Sequence, residues 1–263
     1  MKQRTITAVV AALIFLPIVM LGGLPFQLFV YLIASIAIFE LMRMKKIARY
    51  SIASAITLFL MWSLMYKQEM FGEYDLPITK SEITLLAVLL LLSYTVLVKN
   101  RFTFDDAGFL LLSAIYIGMG FYYLILTRDA NLEYVFYALF IVWATDTGAY
   151  IFGRIFGKNK LWPQISPKKT IEGAVGGIVL ACAVAFIFQL VQPLHSSMIV
   201  VLLVTVLISI AGQVGDLVES AFKRHYAVKD SGKILPGHGG VLDRFDSLIF
   251  MLPILHLIGF IPA

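Results

Sequence analysis

The chain has 263 residues, 60% of them hydrophobic and only 14% charged, with a mean hydropathy of +0.90. A soluble domain carries about 45–50% apolar and about 25% charged residues, so the composition excludes a soluble globular protein and predicts an integral membrane one. The formal net charge of +5 reads as membrane topology plus anionic lipid or nucleotide partners, with no nucleic acid, because the basic residues sit in short loops.

Nine apolar segments follow one another, at about 5–23, 25–42, 51–66, 83–98, 108–126, 132–152, 172–191, 196–214 and 247–262, each near the roughly 20 residues that cross a bilayer. The expected fold is therefore an all-α polytopic bundle of about nine transmembrane helices. It forms a single transmembrane domain over 1–263, with 1–130 the less informative half and 131–263 carrying the polar clusters. The first segment is long for a signal peptide and lacks a small-residue cleavage site, so it is expected to be a retained span. Placing the N-terminus in the cytosol and the C-terminus outside puts all but Lys67, Lys80 and Arg128 of the 21 lysines and arginines on the inner side, as the positive-inside rule requires.

The first half offers few polar candidates. Glu40, near the end of the second segment, is expected to snorkel to the interface. Asp105 and Asp106 are expected to cap the helix that follows. Cys182 is the single cysteine, so no intrachain disulfide can form, and it reads as a small buried hydrophobe.

Polarity returns at Trp143–Lys158. Asp146, Tyr150, Gly153 and Gly157 share one helical stripe. The glycines would admit a neighbouring helix, whereas an aspartate inside a span calls for a function and a partner. Next comes Ser166-Pro167-Lys168-Lys169-Thr170-Ile171-Glu172. Ser166 reads as an N-cap with proline at the first helical position, which would set a phosphate-binding helix end beside Lys168, Lys169 and Glu172.

The densest cluster is Gln213–Asp246. Wound as a helix, Gln213, Asp216, Ser220, Lys223 and Arg224 share one arc, with Glu219 at its edge, while Val214, Leu217, Val218, Ala221 and Phe222 oppose them. The next stretch, Pro236-Gly237-His238-Gly239-Gly240, is a loop whose glycines would let backbone N–H groups approach a phosphate. Asp243 and Asp246, three apart, would face the same way on a helical turn. With Asp216 they could give Mg²⁺ hard oxygen ligands, while Lys223, Arg224, Lys229, Lys233 and Arg244 offset phosphate charge. Acids, bases and a glycine loop together predict phosphoryl or nucleotidyl transfer at a membrane surface.

The spacing Ser220-x-Phe222-Lys223-Arg224, Lys229-Asp230-x-Gly232, Pro236-x-His238-Gly239-Gly240, Asp243-Arg244-x-Asp246 resembles the signature of the phosphatidate cytidylyltransferases, or CDP-diacylglycerol synthases, without departure. The Asp-Thr-Gly segment at Asp146 and the Ser-Pro-Lys-Lys-Thr segment at Ser166 are similar to that family too. The resemblance runs from Trp143 to Asp246; the N-terminal half matches in hydropathy only. It implies a multi-pass enzyme of the cell membrane, with its active site facing the cytosol, that converts CTP and phosphatidic acid to CDP-diacylglycerol and pyrophosphate with Mg²⁺, and works as a homodimer.

Under that resemblance Asp216, Asp243 and Asp246 are expected to hold one Mg²⁺ or two, with Asp146 behind them or as an additional ligand. Lys223, Arg224 and Lys229 would hold the triphosphate or pyrophosphate. Ser166, Lys168 and Lys169 would hold the other phosphate, with Glu172, Ser220 and Arg244 alongside. His238, Gly239 and Gly240 would shape the loop or donate to a phosphate. A cytidylyltransferase for another lipid phosphate and a CTP-dependent polyprenol kinase would use the same chemistry. A transporter relaying ions through Asp146, Asp216 and Glu219 is the reading from another class, and the gathering of polar residues on one side weighs against it.

Overall fold

The computed structural model describes residues 2–47, 51–67 and 78–262; Arg49, one of the inward bases, lies outside them. Among the described residues run α1 (Lys2–Leu21), α2 (Gly23–Met44), α3 (Ile52–Met65), α4 (Lys80–Leu97), α5 (Phe104–Ala130) and α6 (Leu132–Ile155). A short hairpin follows, β1 (Lys160–Trp162) with β2 (Ser166–Thr170), then α7 (Ile171–Val191), α8 (Met198–His225) and α9 (Leu242–Leu257). Six of these helices, α2 and α4 to α8, are long and apolar enough to cross a membrane. The apolar part of α1 is shorter, at Ile6–Leu21, and α3 and α9 have 14 and 16 residues. The chain is an all-α, multi-pass membrane protein with one hairpin added.

By its internal contacts the backbone falls into two compact units, Met1–Ile125 with Ser231–Val241, and Leu126–Asp230 with Leu242–Ala263.

In the first unit short polar side chains fix the starts of α3, α4 and α5. Ser51 caps α3 by accepting from the Ser54 N–H, and Thr79 with Glu82 forms a reciprocal capping box on α4. The expected cap on α5 is present: the Asp106 carboxylate accepts from the Thr103 N–H at 3.0 Å, and the Thr103 hydroxyl accepts from the Asp106 N–H at 3.2 Å. Lys45 pairs with the same carboxylate at 3.0 Å. Lys80, outside the inward set, donates to the Leu64 carbonyl at 2.9 Å and lies 3.8 Å from the Tyr122 ring centre, a cation–π contact. Phe26, Ile38, Leu41, Met61, Leu110 and Phe121 fill the core. Glu40 departs from the snorkelling expectation. It is 5% exposed, because Ser231 and Val241 fold back onto α2 and give its carboxylate hydrogen-bond donors away from water.

In the second unit α6 and α7 pack antiparallel with their backbones nearly touching. A Cβ on Gly148 would lie 2.7 Å from the Gly176 carbonyl, and one on Gly177 would lie 2.7 Å from that of Thr145. Small residues permit this, and close packing is what holds helices together where lipid removes the hydrophobic drive. Hydroxyl pairs bind α8 to α6: Tyr137 with Thr205 at 2.7 Å and Thr145 with Ser209 at 2.8 Å. Thr127 meets the His256 ring of α9 at 3.0 Å.

The sequence placed a helix start at Ser166, and the structure moves it. Ser166–Thr170 forms a strand paired antiparallel with Lys160–Trp162, and α7 starts at Ile171 behind a Thr170 cap whose hydroxyl accepts from the Gly173 N–H at 3.1 Å. Proline lacks an amide donor, which suits a short edge strand as well as a first helical turn; the partner strand and the threonine cap favour the strand. Lys168 and Lys169 therefore precede the helix.

The α6–α7 contact is testable. Gly148→Ala forces a methyl group into the Gly176 backbone and should destabilise the protein by about 1–3 kcal/mol. A thermal midpoint in detergent equal to the parent protein's would contradict the close approach.

Candidate functional site

The second unit gathers charge where α6, β2, α7 and α8 meet. Asp146 and Tyr150 lie on the stripe of α6 that the sequence predicts, and Arg154 follows one turn after Tyr150, close to the helix's C-terminal end. With Lys168, Lys169, Gln213 and Asp216 they line a cavity of about 350 Å³. The helical repeat places Asp146 and Tyr150 one turn apart, and the glycine-mediated approach of α7 leaves the space beside them. Asp216 arrives from α8. Its Oδ2 pairs with Lys169 at 2.5 Å, and its Oδ1 accepts from the Ser220 hydroxyl at 3.4 Å. Four residues singled out in the sequence, Asp146, Lys168, Lys169 and Asp216, thus share one cavity.

A second constellation sits one to two turns further along α8. Lys223 forms ion pairs with Glu219, one turn back on its own helix, and with Asp243 of α9, 2.7 Å away. The Glu219 and Asp243 side chains are 1% and 6% exposed. Two carboxylates in so dry a place need a cation, and Lys223 supplies it to both. Glu219 is the residue that sequence reasoning underweighted. Its signal was its spacing, four residues before Lys223, the favourable order for a helical acid–base pair.

Helices α8 and α9 come together over Gly215, where a Cβ would lie 2.6 Å from the Asp246 carbonyl. Asp246 is buried, and its Oδ1 accepts from the Ser247 N–H at 2.7 Å. It lies within electrostatic reach of Asp216, Asp146 and Lys223, while Asp146 lies within reach of Arg244. Asp216 and Asp246 are therefore neighbours across the α8–α9 contact.

Other predicted residues have different neighbours. The Arg224 Nε donates to the Ile165 carbonyl at 3.1 Å and so braces the hairpin turn. Glu172 accepts from the Lys158 and Asn159 N–H groups at 3.1 and 3.2 Å, and from the Asn159 amide at 2.8 Å, closing the loop after α6. Ser166 is half-buried at the start of β2 and Lys229 is exposed. His238, Gly239 and Gly240 belong to the 231–241 segment of the first unit, a tight turn in which the Leu235 N–H donates to the Gly239 carbonyl at 3.0 Å.

Among the described residues, no group of three or more His, Cys, Asp or Glu side chains converges closely enough to hold a metal ion unaided. The donor chemistry nonetheless suits Mg²⁺. That ion takes one or two protein carboxylates and completes its shell with water and substrate phosphate, and Asp146 and Asp216 open onto the same cavity.

A sequence profile described as the cytidylyltransferase family matches residues 2–261. The chain belongs to that family. It is 56% identical to the phosphatidate cytidylyltransferase of Bacillus subtilis strain 168, across 98% of this chain and 97% of that one. It is 52% identical to the phosphatidate cytidylyltransferase of Staphylococcus epidermidis RP62A and 47% to that of Staphylococcus aureus COL, each across 98% of both chains. Family membership covers the N-terminal helices as well, beyond the Trp143–Asp246 reach of the motif resemblance.

The shared role of Lys223 carries a stability prediction. Lys223→Met leaves two buried carboxylates without their cation and should cost about 3–5 kcal/mol. Neutralising both acids in the same chain, Glu219→Gln with Asp243→Asn, should recover most of the lost thermal midpoint. No recovery would mean that the lysine stabilises by packing alone.

Proposed function

We propose that this protein is a nucleotidyltransferase that condenses CTP with phosphatidic acid, yielding CDP-diacylglycerol and pyrophosphate for phospholipid synthesis. The near full-length identity to three phosphatidate cytidylyltransferases supports the reaction. One structural observation supports where it happens: Lys168, Lys169 and Arg154 share a single cavity with Asp146 and Asp216. The inward bias of lysine and arginine supports a site facing the cytosol across the cell membrane.

An oxygen of the phosphatidate phosphate attacks the α-phosphorus of CTP. A P–O bond forms there, the bond to the bridging oxygen breaks, and pyrophosphate leaves with the electron pair. The nucleophile is already anionic at neutral pH, so positioning and charge neutralisation carry the reaction, as in phosphoryl transfer generally. Lys168, Lys169 and Arg154 receive the lipid phosphate. A phosphate arriving at Lys169 competes with Asp216 for the ammonium, so anion binding and release of a carboxylate are linked. Lys223, Arg224 and Lys229 hold the triphosphate, and Glu219 with Asp243 fixes the Lys223 head group in place. Asp146 and Asp216 would hold Mg²⁺, with Asp246 and Asp243 completing the acidic set; bound there, the cation neutralises phosphate charge. Apolar side chains exposed on α6 and α7, among them Ile151, Ile155, Ile171 and Val175, would carry the acyl chains.

Purified protein in mixed micelles with CTP, phosphatidic acid and Mg²⁺ should release pyrophosphate, and chelation should stop it. No pyrophosphate from folded protein would overturn the reading. Asp216→Asn should lower kcat by roughly a hundred-fold while membrane fractionation shows normal insertion; parental turnover would remove Asp216 from the site. Lys168→Ala should raise KM for phosphatidate with abundance unchanged. A fall in abundance alone would make Lys168 structural.

A further inference from the structure

The carboxylate of Glu40 lies in α2, far in sequence from every residue of the signature. It is 5% exposed, a rare state for a glutamate, and its two oxygens serve the two ends of one segment. Oε2 accepts from the Ser231 hydroxyl at 3.2 Å, and Oε1 accepts from the Val241 N–H at 3.0 Å. One turn on, the Arg43 guanidinium donates to the Ser231 carbonyl at 3.3 Å. Between these anchors the chain closes on itself through the Leu235–Gly239 turn.

Two glycines of the signature are explained by the same carboxylate. A Cβ on Gly232 would come 2.0 Å from Glu40 Oε1, and one on Gly240 would come 2.3 Å from the same atom and 2.2 Å from the hydroxyl of Ser231, its hydrogen-bond partner. At either position a side chain would have to displace the Glu40 carboxylate from its hydrogen bonds. These glycines leave room for a buried acid, a use distinct from the phosphate approach that sequence alone suggests. Gly239, with φ of 86°, serves the turn instead.

The clamp matters because of where its ends lie. Ser231 follows Asp230 directly, and Val241 is two residues before Asp243, the partner of Lys223. Resting on the cytidylyltransferase reading above, we infer that Glu40 is a positioning residue for this reaction: it gathers both ends of the 231–241 segment, sets the glycine loop and fixes the start of α9. It touches no reacting atom. Its effect passes through the covalent chain to Lys229 on one side and Asp243 on the other.

The test uses the full chain in detergent, with pyrophosphate release as the assay and limited trypsin digestion as a second readout. Glu40→Ala should lower kcat/KM for CTP by roughly ten- to hundred-fold, the effect of losing charged hydrogen bonds to buried donors. Glu40→Gln keeps the shape but turns an amide N–H₂ toward one of the two donors, and should fall between Glu40→Ala and the parent. In Glu40→Ala, trypsin should cut faster at Lys229 and Lys233 while sites elsewhere keep their parental rates. Gly240→Ala should impair the parent chain and cost less in the Glu40→Ala background, where one of the two side-chain oxygens that a Cβ would meet is gone. Parental kinetics in Glu40→Ala, additive losses in the double variant, or accelerated cleavage throughout the chain would each overturn the inference. If the parent protein itself releases no pyrophosphate, the functional reading fails, and the trypsin pattern still decides whether the clamp exists.

Discussion

An acid inside an apolar helix bundle is stable only beside something that answers its charge or its lone pairs, and this requirement shapes the second unit. Lys223 stands between Glu219 and Asp243, and Lys169 meets Asp216. Removing Lys223 would strand two buried carboxylates in a low-dielectric setting. The same arrangement carries the chemistry proposed for the site. Cations already held by carboxylates are cations placed for phosphate, and carboxylates already gathered are oxygen donors for a hard metal ion. Under the proposed reaction, stability and activity draw on one set of side chains.

The helices bring these groups together by giving up side-chain volume. Gly148, Gly176 and Gly177 let α6 and α7 touch backbone to backbone, and Gly215 does the same for α8 against α9. Each contact stands beside a residue of the candidate site in the chain: Gly148 is two after Asp146, and Gly215 directly precedes Asp216. Hydroxyl pairs buried between α6 and α8 add directional bonds that would be lost if either helix turned about its axis. The small residues and the acids are thus parts of one device, in which close approach sets the direction of each carboxylate.

Much of this was legible in the sequence. The apolar segments of roughly bilayer length and the arc of Gln213, Asp216, Ser220, Lys223 and Arg224 follow from periodicities that a helix imposes without regard to its neighbours. The Asp106 cap is equally local. The hairpin at 160–170 was not legible, because Ser-Pro satisfies the rules for a helix start and for an edge strand equally well, and only pairing with Lys160–Trp162 decides between them. Glu40 was misread for a related reason. A single acid near the end of an apolar segment looks like an interfacial residue, and its partners lie some two hundred positions away. Long-range pairing of this kind leaves no periodic trace.

A hairpin of two short strands has little stability of its own. Here its turn is tied to the last turn of α8 through Arg224 and the Ile165 carbonyl, and its second strand ends in the threonine that caps α7. The ribbon bearing Lys168 and Lys169 is in effect moored at both ends to helices that contribute Asp216 and Gln213, or border the cavity with Gly173 and Ala174. Besides facing the triphosphate as proposed above, Arg224 thus steadies the ribbon that carries the cavity's lysines, so a defect there would present itself as weakened lipid capture as well as weakened nucleotide binding.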